Sequence, residues 1–254
     1  MTSSKYLLLL AGIVLVRGTA AATPVSVGAT ADTFVDSAQP TGNFGGAGAM
    51  QVTAAGNSYG QLISLVKFDP TAIATAFNSQ YGTGNWTPTA ITLDLGTNFG
   101  TQGVIPNNSI FAPINAGMFQ IVLMQNTGWT EGSGTPGSPT TDGLTYNQLS
   151  NYTSASDVSL GTFSWTAAGN GVYAFNLGTN ATLESDIAND QTISLEFVAA
   201  DTGVSFLFDS RTYGTTSYRE SLSANAVPEP SAWSLLVLCG SIFLGCKWRK
   251  RRRA

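Results

Sequence analysis

The chain has 254 residues, a length that suits one or two domains, yet only 10 % of them are charged and none is histidine. That composition excludes histidine general bases, Ser-His-Asp and Cys-His nucleophile systems and His-ligated metals. The formal net charge of −4 averages three unlike pieces: residues 1–22 carry +2, residues 23–226 carry −11, and residues 227–254 carry +5.

At the N-terminus Lys5 precedes an apolar run over residues 6–16, followed by small residues ending in Ala20-Ala21-Ala22. This basic, apolar, small-residue order is that of a secretory signal helix over residues 1–22, cut by signal peptidase after Ala22, with Ala20 and Ala22 as the small residues before the cut. A buried core helix is the competing reading, and the position at the extreme N-terminus argues against it.

Residues 23–226 carry short β-branched or aromatic runs between Gly, Asn, Pro, Ser and Asp. Strands are predicted at 25–29, 33–36, 50–53, 61–68, 90–95, 119–124, 161–165, 172–176, 193–199, 204–208 and 220–224. In Ile193-Ser194-Leu195-Glu196-Phe197 the apolar residues share one face, as a half-buried strand requires. Helical spacing is confined to residues 70–80, through Ile73, Ala76 and Phe77, and to a turn at 183–188. Long loops are expected at 97–117 and 132–142, and no internal repeat or dividing linker is present. The expectation is an all-β fold, a single jelly-roll β-sandwich. Both cysteines, Cys239 and Cys246, lie beyond it, so a disulfide scaffold, a zinc cage and a Cys nucleophile are excluded from the body. With Lys67, Arg211 and Arg219 against 14 acids, the body repels phosphate backbones, and nucleic acid is not a credible partner.

The order of short motifs in this body carries a resemblance. Ala31-Asp32-Thr33-Phe34-Val35, Gly42-Asn43-Phe44-Gly45-Gly46, Leu65-Val66-Lys67-Phe68-Asp69, Trp129-Thr130-Glu131-Gly132, Thr145-Tyr146-Asn147 and Phe206-Leu207-Phe208-Asp209-Ser210-Arg211 follow one another as in the DNRLRE-type domain, a jelly-roll family related to carbohydrate-binding modules. The resemblance covers most of residues 29–224 and implies an accessory or surface domain, in some members associated with polysaccharide. It brings no catalytic residues with it. Tyr146 stands where a Trp is commoner in that family, which argues against sugar stacking at this position.

The C-terminal piece, residues 227–254, opens with Val227-Pro228-Glu229-Pro230, continues with an apolar-to-small segment over 232–246, and ends in Lys247, Trp248, Arg249, Lys250, Arg251, Arg252 and Arg253. As a transmembrane helix those 15 residues reach only about 22 Å, against roughly 30 Å of hydrocarbon, so Trp233, Trp248 and snorkelling basic side chains would have to complete the span. The basic cluster is expected on the cytoplasmic side, leaving the body outside. Two prolines hold Glu229 in extended backbone and keep the tripeptide out of the following helix. This three-part tail resembles the PEP-CTERM sorting signal of Gram-negative bacteria that make exopolysaccharide, and the resemblance implies an exosortase as processing partner. An ordinary tail anchor with a proline linker is the plainer reading.

Without His or Cys, catalysis would fall to paired carboxylates, and glycoside hydrolysis needs two acids about 5–9.5 Å apart. Glu131, Glu184, Glu196 and Glu220 qualify by type, as any chain this rich in acids does. Asp32, Asp36 and Asp209 carry the hard oxygens that suit Ca²⁺, but EF-hand spacing is absent, and turn capping or pairing with Arg211 accounts for them equally. Lys67 is expected to point outward from its strand or to pair with Asp69. Among the aromatics Trp86, Trp129, Trp165, Tyr59, Tyr81, Tyr146, Tyr152 and Tyr213, core packing outweighs a sugar-stacking platform. Tyr81 and Trp86, in a glycine-rich stretch, are the expected exposed pair. The glycine-rich residues 42–48 lack the Lys and helix of a P-loop and read as turns. No catalytic, cofactor or metal residues are assigned, and the expected role is a non-enzymatic surface or matrix protein in an exopolysaccharide-rich layer. A carbohydrate-binding module and a carboxylate-dependent polysaccharide-cleaving enzyme are the alternatives.

Overall fold

The computed structural model describes residues 23–98 and 110–229. The signal region with Ala20 and Ala22, Pro230, the apolar segment 232–246 and the basic residues Lys247 and Arg249–Arg253 lie outside the described residues. Ten strands and two α-helices follow in the order β1 (Val25–Asp36), β2 (Ala49–Thr53), β3 (Leu62–Phe68), α1 (Thr71–Tyr81), β4 (Trp86–Thr97), β5 (Gly117–Leu123), β6 (Val158–Trp165), β7 (Gly171–Gly178), α2 (Ala181–Ala188), β8 (Ile193–Ala199), β9 (Ser205–Asp209) and β10 (Ser221–Pro228). Two 3₁₀ turns, Tyr146–Asn151 and Thr216–Tyr218, were not foreseen in the sequence. The class is all-β, and every strand pair is antiparallel.

Eight strands form one sheet in the order β6-β5-β8-β3-β1-β10-β4-β7, and β2 pairs with β9 in a separate ribbon. The two strands predicted at 25–29 and 33–36 are one strand that changes partner. Val25–Gly28 pair with β10, whereas Ala29–Asp36 pair with β3, and the register shifts between Ala29 and Ala31. An extra residue at such a point bends a strand and tightens its twist, which lets one sheet serve as two facing layers. The end strands β6 and β7 are joined by residues 166–170 alone, so the sheet must fold over to bring its two edges together.

Aromatic rings fill the space between the layers. Phe119 of β5 meets Phe175 of β7 edge-on at 5.2 Å, and Phe206 of β9 stacks on Trp165 at 4.4 Å and lies 5.0 Å from Phe119. A second, smaller cluster of Val35, Ile63, Leu65, Met124, Trp129, Leu144 and Leu149 covers the other face of β1 and β3, beneath the long connection from β5 to β6. Alternation along β3 explains both: Val66 and Phe68 point to the main core, Ile63 and Leu65 to the satellite.

Helix α1 starts where Asp69 Oδ1 accepts the Thr71 N–H at 2.9 Å, and α2 where Asn180 Oδ1 accepts from Thr182 N and Leu183 N at 3.0 and 3.2 Å. Asp69 is thereby used as a cap and does not meet Lys67, whose Nζ instead donates to the Trp129 carbonyl at 2.6 Å and lies 4.2 Å from that indole ring. Trp86 corrects the sequence reading more sharply. It is 4 % exposed, tilted against Phe77 of α1 at 5.1 Å, and its indole N–H donates to Asn78 Oδ1 at 2.8 Å. Residues 83–85 of the glycine-rich stretch are exposed, but the turn they make returns Trp86 beneath the helix. No helix among the described residues is long and apolar enough to cross a membrane.

Truncating Phe206 opens a cavity among four aromatic neighbours, so Phe206→Ala is expected to lose about 3–5 kcal/mol in urea unfolding, while Tyr59→Ala on the surface changes stability by under about 0.5 kcal/mol. Equal losses for the two variants would contradict the core described above.

Candidate functional site

Three places gather functional side chains, and the first is the end of β10. The boundary expected between residues 226 and 227 falls inside the strand: Ala226 faces Pro88, Val227 faces Thr87 and Pro228 faces Trp86. Beyond the strand the Glu229 N–H donates to the Asn85 carbonyl at 2.8 Å, and Thr87 Oγ1 donates to Glu229 Oε1 at 3.1 Å. Val227, Pro228 and Glu229 thus lie along β4 as a continuation of the sheet; they are extended, and nothing in the sequence signalled that they pair with β4. Proline is tolerated there because it closes the strand rather than interrupting it.

The second place is one end of the sandwich, where the motifs that were ordered in sequence meet in space. Asn43 is fully buried and binds through its whole amide: Nδ2 donates to the carbonyls of Glu131 and Leu144 at 2.7 and 2.9 Å, and Oδ1 accepts from Gly45 N and Gly134 N, both at 3.2 Å. Gly132 sits against it at φ +75°, where a Cβ would come within 2.1 Å of Asn43 Oδ1. Glu131 then accepts the Asp32 N–H at 3.1 Å and the Arg211 Nε at 2.7 Å, with Arg211 Nη2 on its other oxygen. Arg211 N–H in turn donates to Asp32 Oδ2 at 2.6 Å.

Asp32 faces the interior, next to Glu220 at the start of β10; each is 1 % exposed, and Asp209 at the end of β9 is 2 % exposed. Their carboxyls are pushed upward chiefly by burial: Asp32 to about 7, Asp209 to about 7, and Glu220 well above the usual range, the last also by the charges of Asp32 and Asp209. Of the three aspartates considered for calcium, Asp32 and Asp209 share this end. Asp36 stands four residues along β1, about 13 Å away, with Oδ1 capping Ala38 N at 2.7 Å. Glu220 was singled out only as a generic acid at the start of the strand predicted over 220–224; β10 begins one residue later, and nothing in the sequence signalled that this acid turns inward. Glu196 is a separate buried acid on β8, raised to about 7 by burial and then by Asp157. No group of three or more acidic or cysteine side chains among the described residues forms a ready-made metal cage.

The third place is an open groove of about 460 Å³ between residues 57–59, 112–115 and 202–205. Tyr59, 37 % exposed, lines it with the polar side chains of Asn57, Asn115 and Thr202. The other aromatics are used elsewhere: Trp129 and Trp165 are 2 % and 1 % exposed, Tyr81 is half-buried against Phe77, and Tyr146 donates to Gln61 Oε1 at 2.8 Å.

No protein-family model matches the chain, and no curated protein matches its sequence.

Carboxyls held near 7 when folded but near 4 when unfolded keep protons that the unfolded chain gives up, so stability is greatest at the acid side and drains as pH rises from about 4 to about 7. The slope is up to about 1.4 kcal/mol per pH unit for each such group. Asp142, pulled down to about 2 by Ser133 and Thr140, acts with the opposite sign below pH 4. In metal-free buffer the melting midpoint should therefore peak near pH 4–5 and fall up to pH 7.5; a midpoint that climbs across that interval contradicts the burial of uncompensated acids.

Proposed function

We propose that the chain is exported through its N-terminal signal, retained at the membrane of a Gram-negative bacterium by its C-terminal helix, and sorted by an exosortase to the cell surface or extracellular matrix. In this reading the body is a DNRLRE-like jelly roll with a structural or adhesive role in an exopolysaccharide-rich layer. The observation that supports it best is the continuity of β10 with the tail. A strand of the sheet runs through Val227 and Pro228 to Glu229, so the folded body is continuous with the first described residues of the sorting signal. A body with few charges and a surface of hydroxyls and amides suits contact with neutral sugar polymers. The adjacent acids Asp32 and Glu220 are inside the sandwich rather than across a cleft, which speaks for a non-enzymatic role.

The groove beside Tyr59 favours a second reading, in which the body binds glycan directly. An aromatic ring next to amides and hydroxyls is the chemistry of sugar recognition without charge.

Blotting of membrane and released fractions tests the sorting: Glu229→Ala protein should stay in the membrane fraction at its unprocessed size, and release at the wild-type rate would sink the proposal. Deletion should weaken matrix or floc cohesion. Affinity electrophoresis in exopolysaccharide gels separates the two readings: retardation abolished by Tyr59→Ala supports glycan binding, whereas unretarded wild-type protein leaves the structural role.

A further inference from the structure

Folded proteins bury carboxylates with N–H donors or a cation beside them. At the Asp32 end of the sandwich those partners are nearly missing. Asp32 Oδ2 takes one N–H, from Arg211, while both oxygens of Glu220 and Oδ2 of Asp209 have no hydrogen-bond donor. The carboxyl groups of Asp32 and Glu220 lie within hydrogen-bond reach of each other, and Asp209 lies within electrostatic reach of Glu220. Positive charge close by is already committed. The Arg211 guanidinium grips Glu131 with two nitrogens, and Lys67, the other cation near Glu131, is turned onto the Trp129 carbonyl. The groups facing the pocket are thus Asp32 from β1, Asp209 from β9, Glu220 from the start of β10, and the paired Arg211 and Glu131 from the loops, leaving an interior excess of negative charge.

We infer that the space between Asp32 and Glu220 is a binding site for a divalent, oxygen-seeking cation of the Ca²⁺ type. Two features carry this: the unpartnered Glu220 carboxylate aimed at Asp32, and a donor set made only of hard oxygens. The chain has no histidine and its two cysteines are Cys239 and Cys246, so the body offers neither imidazole nor thiolate, which disfavours zinc and copper, and the flexible geometry of Ca²⁺ accepts irregular carboxylates more readily than Mg²⁺ does. Side chains do not complete the cage, so two carboxylates anchor the ion while backbone carbonyls and water fill its remaining positions. A proton shared between Asp32 and Glu220 is the competing neutraliser, and it leaves Asp209 uncompensated. The site is independent of how the chain is exported or sorted.

The test is calorimetric titration of the EDTA-stripped full-length protein with CaCl₂ at pH 7.5, with melting midpoints measured in parallel. One Ca²⁺ per chain is expected, together with a midpoint rise of about 5 °C or more at saturation. Glu220→Gln should weaken binding at least tenfold and abolish the rise, yet melt in EDTA at or above the wild-type temperature because a buried charge has gone. Asp209→Asn should weaken binding less, and Asp142→Asn, at an exposed acid whose hydrogen bonds go to Ser133 and Thr140, should bind normally. Absence of binding to the wild-type protein at 10 mM Ca²⁺, or undiminished binding by Glu220→Gln, overturns the site and leaves the shared proton as the means of neutralisation.

Discussion

Strand β1 belongs to both layers of the sandwich, and that sharing depends on one irregularity between Ala29 and Ala31. Before it the strand is bonded to β10, after it to β3, so the other strands of the eight-stranded sheet inherit their layer from the side of the bend on which they join. The same irregularity sets which side chains point inward. Past the shift, Asp32 and Phe34 face the interior while Ala31 and Val35 face the satellite cluster. A slip of one residue would exchange these sets and place Val35 where Phe34 now stacks on Phe44 at 4.7 Å. The bend therefore fixes both the closure of the sheet and the placement of an acid inside it.

Polar side chains, rather than a third layer, then lock the open end. Asn43 ties the glycine-rich loop to residues 131–144 through three side-chain hydrogen bonds and closes a fourth on Gly45 within the loop, and the bidentate Arg211–Glu131 pair ties the β9–β10 connection to the same segment. Full satisfaction makes such groups worth burying, and Gln51 shows the same logic deeper in, with its amide bonded to Ala112 and Ser205. Glu220 departs from that rule in the same neighbourhood. Asp36, Trp165, Asp209 and Asn225 each leave one buried polar atom without a partner, but Glu220 leaves both carboxylate oxygens so, and that is the ground for inferring a cation there.

The all-β class and the location of ten strands were legible because short β-branched and aromatic runs stand between turn residues; alternation marked Ile193–Ala199 as a strand, although residues 193–197 are buried on both faces, Ser194 and Glu196 included, where a half-buried strand was expected. What escaped notice required information from distant residues. Two strands were read at the start because Thr30, among small residues, breaks the alternation; only the partner switch shows that the strand continues. Trp86 was read as exposed from its glycine-rich surroundings, yet α1 folds over it through Phe77 and Asn78, a contact that local composition does not encode. Asp32, Asn43, Glu131 and Arg211 were visible as an ordered series of motifs, but their convergence was not, since up to about 180 residues separate hydrogen-bonded partners such as Asp32 and Arg211. The end of β10 was masked by proline chemistry: Pro228 reads as a linker residue, and strand-edge pairing with Trp86 can be known only from the sheet.

Strand β10 joins the two most distinctive chemical features of the chain. Its first neighbour is the buried Glu220, and its far end leads to Glu229 pinned against β4, a separation of about 30 Å over nine residue steps at 3.3 Å each. Tension on the tail would run along the strand, perpendicular to its ladder bonds with β1 and β4, so those bonds would bear load together instead of opening one by one. Under the proposed anchoring by the tail, the load would fall on how firmly the start of β10 is fixed. Ala29 N–H donates to the Glu220 carbonyl at 3.3 Å, a long hydrogen bond at the point where the two layers part. A cation held by the Glu220 and Asp32 side chains would clamp β10 to β1 at this weak point, and the stiffness of the connection between body and tail would then depend on occupancy of a site buried at the other end of the strand.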